Sequence, residues 1–224
     1  MRPIIVTGFN DKIDTKIVRY QEMVVNKLRG NIPFFQYNYT GSDMLHGDVC
    51  NKLIHKMFYE YQEGADCILF LDVDAIPLSR EALEWTLDMA YSGHLVGNAQ
   101  RSNHYDNDQH VFAAISYAAF TRETYEKAWS PTMCFTKKYD CSELFTVNCE
   151  RAGIPVTLLM PSGSESTNQD NEYWKLADGM PTYGIGTTFS NGKQDISYHL
   201  FCSSFNKYTN YFLNRCHKII TESE

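Results

Sequence analysis

Five consecutive apolar residues, Cys67-Ile68-Leu69-Phe70-Leu71, run directly into Asp72-Val73-Asp74, and Pro77 closes the turn that follows. An uninterrupted apolar run of this length lacks the one-sided alternation of a strand half exposed to water. It is the pattern of a strand covered on both faces, as in the parallel sheets of α/β proteins. What lies on either side agrees. Pro3–Thr7 reads as a first buried strand ending at Gly8. Apolar residues Ile17, Val18, Val24, Val25 and Leu28 recur at helical spacing from about Asp14, and Gly30 supplies a stop. Phe34–Tyr39 reads as a second strand, and a helix follows from about Gly47 to Gln62. Beyond Pro77, Ser79 is placed to cap a helix reaching about Tyr91, with Glu81 and Glu84 in its opening turns.

The alternation continues through strands Leu95–Gln100 and Val111–Phe120, with Thr121 capping the helix after the second. A helix over about Cys141–Arg151 stops at Gly153. Strand Val156–Leu159, strand Ile196–Phe201 and a terminal helix Tyr208–Ile220 complete the chain. Between Ser162 and Gly192 the sequence is polar and Gly-rich and reads as one long loop of functional or mobile character. No repeat or low-complexity linker divides the 224 residues, so the expectation is one domain with a central, mostly parallel sheet flanked by helices. Loops following the early strands then share one sheet edge, which carries Gly8, Asp72 and Asp74.

Asp72 and Asp74 stand two residues apart at the C-terminal end of the buried strand. In extended backbone the side chains of residues i and i+2 point the same way, so both carboxylates address one spot. Two carboxylates held side by side repel unless a cation lies between them. A hard divalent ion, Mn²⁺ or Mg²⁺, suits carboxylate and phosphate oxygens together and offsets the charge on a departing diphosphate. The competing explanation is mechanical: Asp72 caps the turn and Asp74 caps the next helix.

Ile68-Leu-Phe-Leu-Asp-Val-Asp-Ala-Ile-Pro-Leu78 resembles the DxD segment of GT-A glycosyltransferases. The chain's size and style are similar to those of phage and viral members of that group. The resemblance implies a Rossmann-related α/β domain and a metal on Asp72 and Asp74 that binds a nucleotide-diphosphate sugar, UDP-linked. It also implies a third metal ligand from a late histidine, His199 in Ser197-Tyr-His-Leu-Phe201, and through it retention of stereochemistry. The other reading of His199 is a core histidine between Tyr198 and Leu200. The loop of Thr7, Gly8 and Asn10 would meet the base and ribose, where Gly8 lets backbone approach a ligand closely. A carboxylate near the start of the 141–151 helix would act on the acceptor hydroxyl or the donor sugar. Asp140 and Glu143 are the candidates, with Asp106 and Asp108 as rivals. Asp140 and Glu143 equally satisfy a helix cap with its box partner.

Three further groups carry weaker signals. His46-Gly47-Asp48 opens the second helix, whose N-terminus suits a phosphate with Lys52 one turn inside, although Asp48 also explains a cap. Asn98, Gln100, Arg101, Asn103 and His104 concentrate amide and imidazole groups suited to sugar hydroxyls, or form a solvated loop. Trp174 and Tyr183 would stack on a sugar or base, or pin the long loop to the body. On this reading residues 1–100 hold the nucleotide sugar and 101–224 the acceptor, which is a glycan, a protein or a hydroxylated DNA base. The net charge of −7 supplies no basic field for DNA, leaving only a local surface such as Lys137, Lys138 and Lys193.

The other functional classes are a phosphatase of the haloacid dehalogenase type and a non-catalytic nucleotide or sugar binder. The phosphatase signature is a D-x-D-x-[T/V] motif, usually on the first strand, whereas here Ile76 occupies the fifth position and two strands precede the motif. A nucleotidyltransferase would carry a Gly-rich, Arg-Lys loop after the first strand, which is lacking. No apolar run approaches a membrane span, and the N-terminus lacks the apolar core of a signal peptide. Seven cysteines without a C-x-x-C pair suggest reduced thiols in a cytoplasmic setting.

Overall fold

The computed structural model describes residues 1–61, 64–102, 110–166, 173–204 and 206–222. Strand β1 (Pro3–Phe9) lies between β2 (Phe34–Asn38) and β3 (Cys67–Asp72), parallel to both. Every residue from Cys67 to Leu71 is buried. Ile68 and Phe70 enter the core beneath α2 (His46–His55), and Cys67, Leu69 and Leu71 enter the one beneath α3 (Arg80–Tyr91). Burial on both faces is what the apolar run requires. Beyond β3 lie β6 (Val111–Thr121), β5 (Leu95–Arg101), β7 (Val156–Ser164), β10 (Thr187–Ser190), β11 (Asp195–His199) and, at the edge, β4 (Ala75–Pro77), making a nine-stranded sheet.

The class is α/β with a mixed sheet between helices, as expected, but antiparallel pairing has a larger share than strand–helix alternation implied. Among the described residues parallel pairing is confined to β2–β1–β3 and β5–β7. The remaining five junctions are antiparallel. The cause is local: only nine residues separate β5 from β6 and four separate β10 from β11, fewer than the dozen or so that a parallel return needs. The stretch expected to be one loop, Ser162–Gly192, instead holds the end of β7, all of β10, and a two-stranded ribbon of β8 (Tyr173–Lys175) and β9 (Thr182–Gly184). Strands of three or four residues carry too little periodicity to stand out in polar sequence.

Helix α1 (Thr15–Leu28) shows how sequence sets position. The Asp14 carboxylate accepts the Lys16 N–H at 2.9 Å, and Ile17, Gln21, Val24, Val25 and Leu28 form the buried stripe. Gln21 is the one polar member of that stripe. Its amide donates to the carbonyls of Asp72 at 2.6 Å and Ala75 at 2.9 Å, fastening the turn that carries both aspartates. The terminal helix α6 (Thr209–Thr221) packs on the same side, with Phe212, Cys216 and Ile219 buried in the cluster that includes Ile17 and Val24. Helices α4 (Arg122–Lys127) and α5 (Glu143–Ala152) follow β6 in the chain.

At the start of α2, Gly47 lets the helix approach the backbone of the 131–141 segment. A β-carbon there would lie 2.5 Å from the Cys134 Cα and 2.8 Å from the Met133 carbonyl oxygen. Backbone cannot yield as a flexible side chain does, so Gly47→Ala is expected to destabilise by about 1–3 kcal/mol. Calorimetry should show the melting temperature lowered by several degrees; an unchanged value would mean the two segments are not held this tightly.

Candidate functional site

Strand β3 ends at Asp72, a two-residue turn follows, and β4 returns to pair antiparallel with β11. That pairing sets Ala75 opposite His199, and the Leu200 N–H donates to the Asp74 carbonyl at 3.0 Å. The short β4, which sequence reading saw only as a turn, is therefore the element that brings the late histidine to the aspartates. His199 Nε2 lies 3.3 Å from Asp74 Oδ1 and 3.9 Å from Asp72 Oδ2. One ligand atom from each of the three residues falls within 4.8 Å of the others, which makes this the one such group of metal-ligating side chains found among the described residues.

Two observations test whether a divalent ion fits. The separations of 3.3 Å and 3.9 Å from His199 Nε2 to Asp74 Oδ1 and Asp72 Oδ2 are ones that a single ion with ligand distances of about 2.1 Å can span. In addition, the donor set of two carboxylates and one imidazole matches the preferences of Mn²⁺ and tolerates Mg²⁺. The mechanical alternative fails for Asp74, since Ser79 caps α3 by accepting the Ala82 N–H at 3.0 Å.

Two further side chains shape the triad. The imidazole of His199 lies on the ring of Phe201, with centroids 3.9 Å apart. Phe201 and Cys202 both have positive φ, 59° and 52°, a sharp left-handed turn that few side chains adopt unless the surroundings enforce it. Trp174 and Tyr183 pack on Phe201, at centroid distances of 6.1 and 5.6 Å. The aromatic pair from the polar stretch thus braces the residue beneath His199. Opposite, His46 at the first turn of α2 brings Nε2 to 3.2 Å from Asp72 Oδ1, at ion-pair distance but without hydrogen-bond alignment. Partial removal from water lowers the His46 pKa, but the Asp72 carboxylate outweighs it and raises the value to about 9. The same pairing holds Asp72 below its usual range against the opposing effect of burial.

A pH dependence follows for the protein in chelator. His46 has its folded pKa raised from 6.5 to about 9. Its contribution to stability is complete below 6.5 and is lost as pH rises through about 9. His46→Gln should therefore lower stability at pH 6 and converge with wild type near pH 10. Melting curves across that range that differ by a constant amount would contradict the assignment.

The triad opens into a basin of about 350 Å³. Of the sequence candidates, Gly8, His46, Asp72, Asp74, Gln100, Asp140 and His199 line it. Others stand elsewhere. Thr7 is fully buried on β1, and the Asn10 carboxamide accepts the Lys12 N–H at 3.1 Å. Lys52 donates to the Tyr37 hydroxyl at 2.7 Å and lies over its ring, and Asn98 accepts from Ser197 Oγ at 2.6 Å. Glu143 is fully buried and accepts from Ser102 Oγ at 2.7 Å and the Asp140 N–H at 2.7 Å, with His110 Nδ1 at 2.6 Å. Asp140 is not the cap of α5, whose N-cap is Ser142, so the Asp140–Glu143 bond stands outside the helix and the anticipated capping box does not form. Asn103, His104, Asp106 and Asp108 lie outside the described residues. Basin residues that sequence reading missed include Tyr39, Ser116 and Cys141. Ser116 stands within β6, Tyr39 just after β2 and Cys141 just before α5, and nothing in their local pattern marks them.

No family model matches the chain, and no curated protein does. Solved structures similar to it include a protein from STIV, 14% identical, covering 71% of this chain and 82% of that one at a TM-score of 0.44. Another is a variant of Drosophila β1,4-galactosyltransferase 7 in complex with manganese, UDP-Gal and xylobiose, 17% identical over 76% and 69% of the two chains at 0.42. A third is a glycosyltransferase involved in glycosylation of the major capsid of PBCV-1, 12% identical over 58% and 66% at 0.40. Likeness this faint assigns no chemistry, and what the chain does has to be argued from the triad and its basin.

Proposed function

We propose that this chain is a metal-dependent glycosyltransferase that moves a sugar from a nucleotide-diphosphate donor to an acceptor hydroxyl. The observation that carries the proposal is the convergence of Asp72, Asp74 and His199 at the end of a fully buried strand, open to a basin. Mn²⁺ suits the set best, with Mg²⁺ as the alternative. When bound, the ion would supply positive charge for the diphosphate as it leaves.

The chain's own residues account for the rest. Asp72 and Asp74 project from a turn clamped by Gln21, and His199 is fixed by β4–β11 pairing and by Phe201 beneath it. A site this constrained is preorganised and has little to rearrange when charge develops. Gly8 and Tyr39 on the α2 side suit the nucleotide, UDP in our reading, with residues 1–100 supplying most of the donor side, joined there by side chains of β6 and β11, and 101–224 the acceptor side. Asp140, which lines the basin, is the carboxylate suited to take the proton of an attacking hydroxyl. Glu143, occupied within the core, is not.

A thermal-shift screen of UDP, GDP, CMP and their sugar conjugates, with and without Mn²⁺, needs no acceptor. Stabilisation requiring both the ion and one nucleotide diphosphate is the expected result. Equal shifts without metal, or none with any donor, would sink the proposal. Once an acceptor is in hand, Asp140→Asn should keep donor affinity within about twofold and lower turnover by roughly 100-fold, the range of lost general-base catalysis. Full activity in that variant would return Asp140 to a structural role.

A further inference from the structure

Strand β6 carries a bulge at the floor of the basin. On β5, Gly97 and Asn98 are consecutive, yet their partners on β6 are Ala118 and Ala114, so Ile115, Ser116 and Tyr117 have no counterpart on that side. Tyr117 is still paired with Leu71 on the other side, which places Ser116 next along the ladder, toward Asp72. The bulge is held from behind by Ser142, whose hydroxyl accepts the Ile115 N–H at 3.1 Å. Bulges of this kind re-aim a side chain and concentrate near active sites. Here the re-aimed residue is Ser116. It is 3% exposed, it lines the basin, and its hydroxyl finds no hydrogen-bond partner among the described residues.

A buried hydroxyl without a partner is costly to keep, and alanine would fill the same place without that cost. The chemistry of the surrounding wall indicates what partner it awaits. On the β5–β6 side of the basin Ser116 stands with Gln100, Ala114 and Ile115, and Asp140 lines the same basin. The Asp140 carboxylate repels phosphate oxygens and attracts hydroxyl donors, and the other members are neutral. A polyhydroxylated, uncharged group is what such a wall accepts, and its position beside Asp72 puts it next to the diphosphate.

We propose that Ser116 is a specificity-determining residue that hydrogen-bonds a hydroxyl of the donor sugar, an inference that rests on the glycosyltransferase reading of the same basin. Sugar hydroxyls also occur on acceptors; adjacency to Asp72 favours the donor.

The test compares Ser116→Ala with wild type by calorimetric titration in Mn²⁺, first with the nucleoside diphosphate and then with its sugar conjugate, no acceptor being present. The expected result is unchanged affinity for the diphosphate, which also shows that the variant is folded, and roughly 5–10-fold weaker binding of the conjugate, the worth of one hydrogen bond. Among monodeoxy donors, the one lacking the contacted hydroxyl should bind both proteins equally. Equal affinities for the conjugate would leave Ser116 with water alone and overturn the proposal. A defect seen only in the acceptor KM would overturn the donor assignment. Failure of wild type to bind any nucleoside diphosphate with Mn²⁺ would instead remove the glycosyltransferase reading, and this proposal with it.

Discussion

Asp74→Ala is expected to weaken Mn²⁺-dependent nucleotide binding by roughly 100-fold or more while leaving the fold in place. Losing an outer partner of a metal ligand already costs about 10–100-fold, and loss of a ligand itself should lie at or beyond the upper end. The fold should survive because the part of Asp74 that holds the sheet is its carbonyl, which accepts from Leu200 and remains in the variant. Gln21 likewise grips carbonyls of the turn, not carboxylates. The two effects separate cleanly in measurement, metal affinity by titration calorimetry and folding by circular dichroism. Retained Mn²⁺-dependent binding would remove Asp74 from the metal site. Loss of folding would make the residue structural.

Glu143→Ala should have the opposite signature, a large loss of stability with metal binding preserved. The Glu143 carboxylate is fully buried, accepts from Ser102 Oγ and the Asp140 N–H, and contacts His110 Nδ1, joining β5, the start of α5 and the entry to β6. Alanine takes away the acceptor that these donors share and leaves a cavity. A cost of about 3–5 kcal/mol is expected from the cavity and the buried donors left without an acceptor. For a chain of this size that corresponds to a melting temperature roughly 6–20 °C lower. Glu143→Gln, which keeps an acceptor oxygen, should lose less. A variant as stable as wild type but inactive would restore Glu143 as a candidate for the chemistry.

The contrast between these residues shows what could be read from sequence. Asp72 and Asp74 were legible because their meaning depends on local pattern: a doubly buried strand, spacing of two, and a turn after it. The helices and longer strands were legible for the same reason, through periodicity and caps. Pairing direction was not, because it depends on connections such as β5 to β6 that carry no periodic signal. Gln21 carries no local signal in the sequence, and only the fold shows that its amide clamps the aspartate turn. Ser116 sits inside a continuous buried strand, and its bulge depends on register against β5. Lys52 and Asn98 had suitable chemistry and position in sequence, yet Tyr37 and Ser197 engage them. Side-chain chemistry proposes candidates, and long-range packing decides which of them face the basin.

The central claim is that Asp72, Asp74 and His199 hold one divalent ion for a nucleotide diphosphate. Electron paramagnetic resonance of Mn²⁺ tests it most directly, because the sharp signal of the free aquo ion disappears on binding. Titration of the wild-type chain in the presence of the nucleoside diphosphate selected by the screen should remove one equivalent of that signal per chain, and His199→Ala should weaken the effect. A free-ion signal that persists beyond what the nucleotide alone removes, or one that wild type and the His199 variant quench equally, would contradict the account.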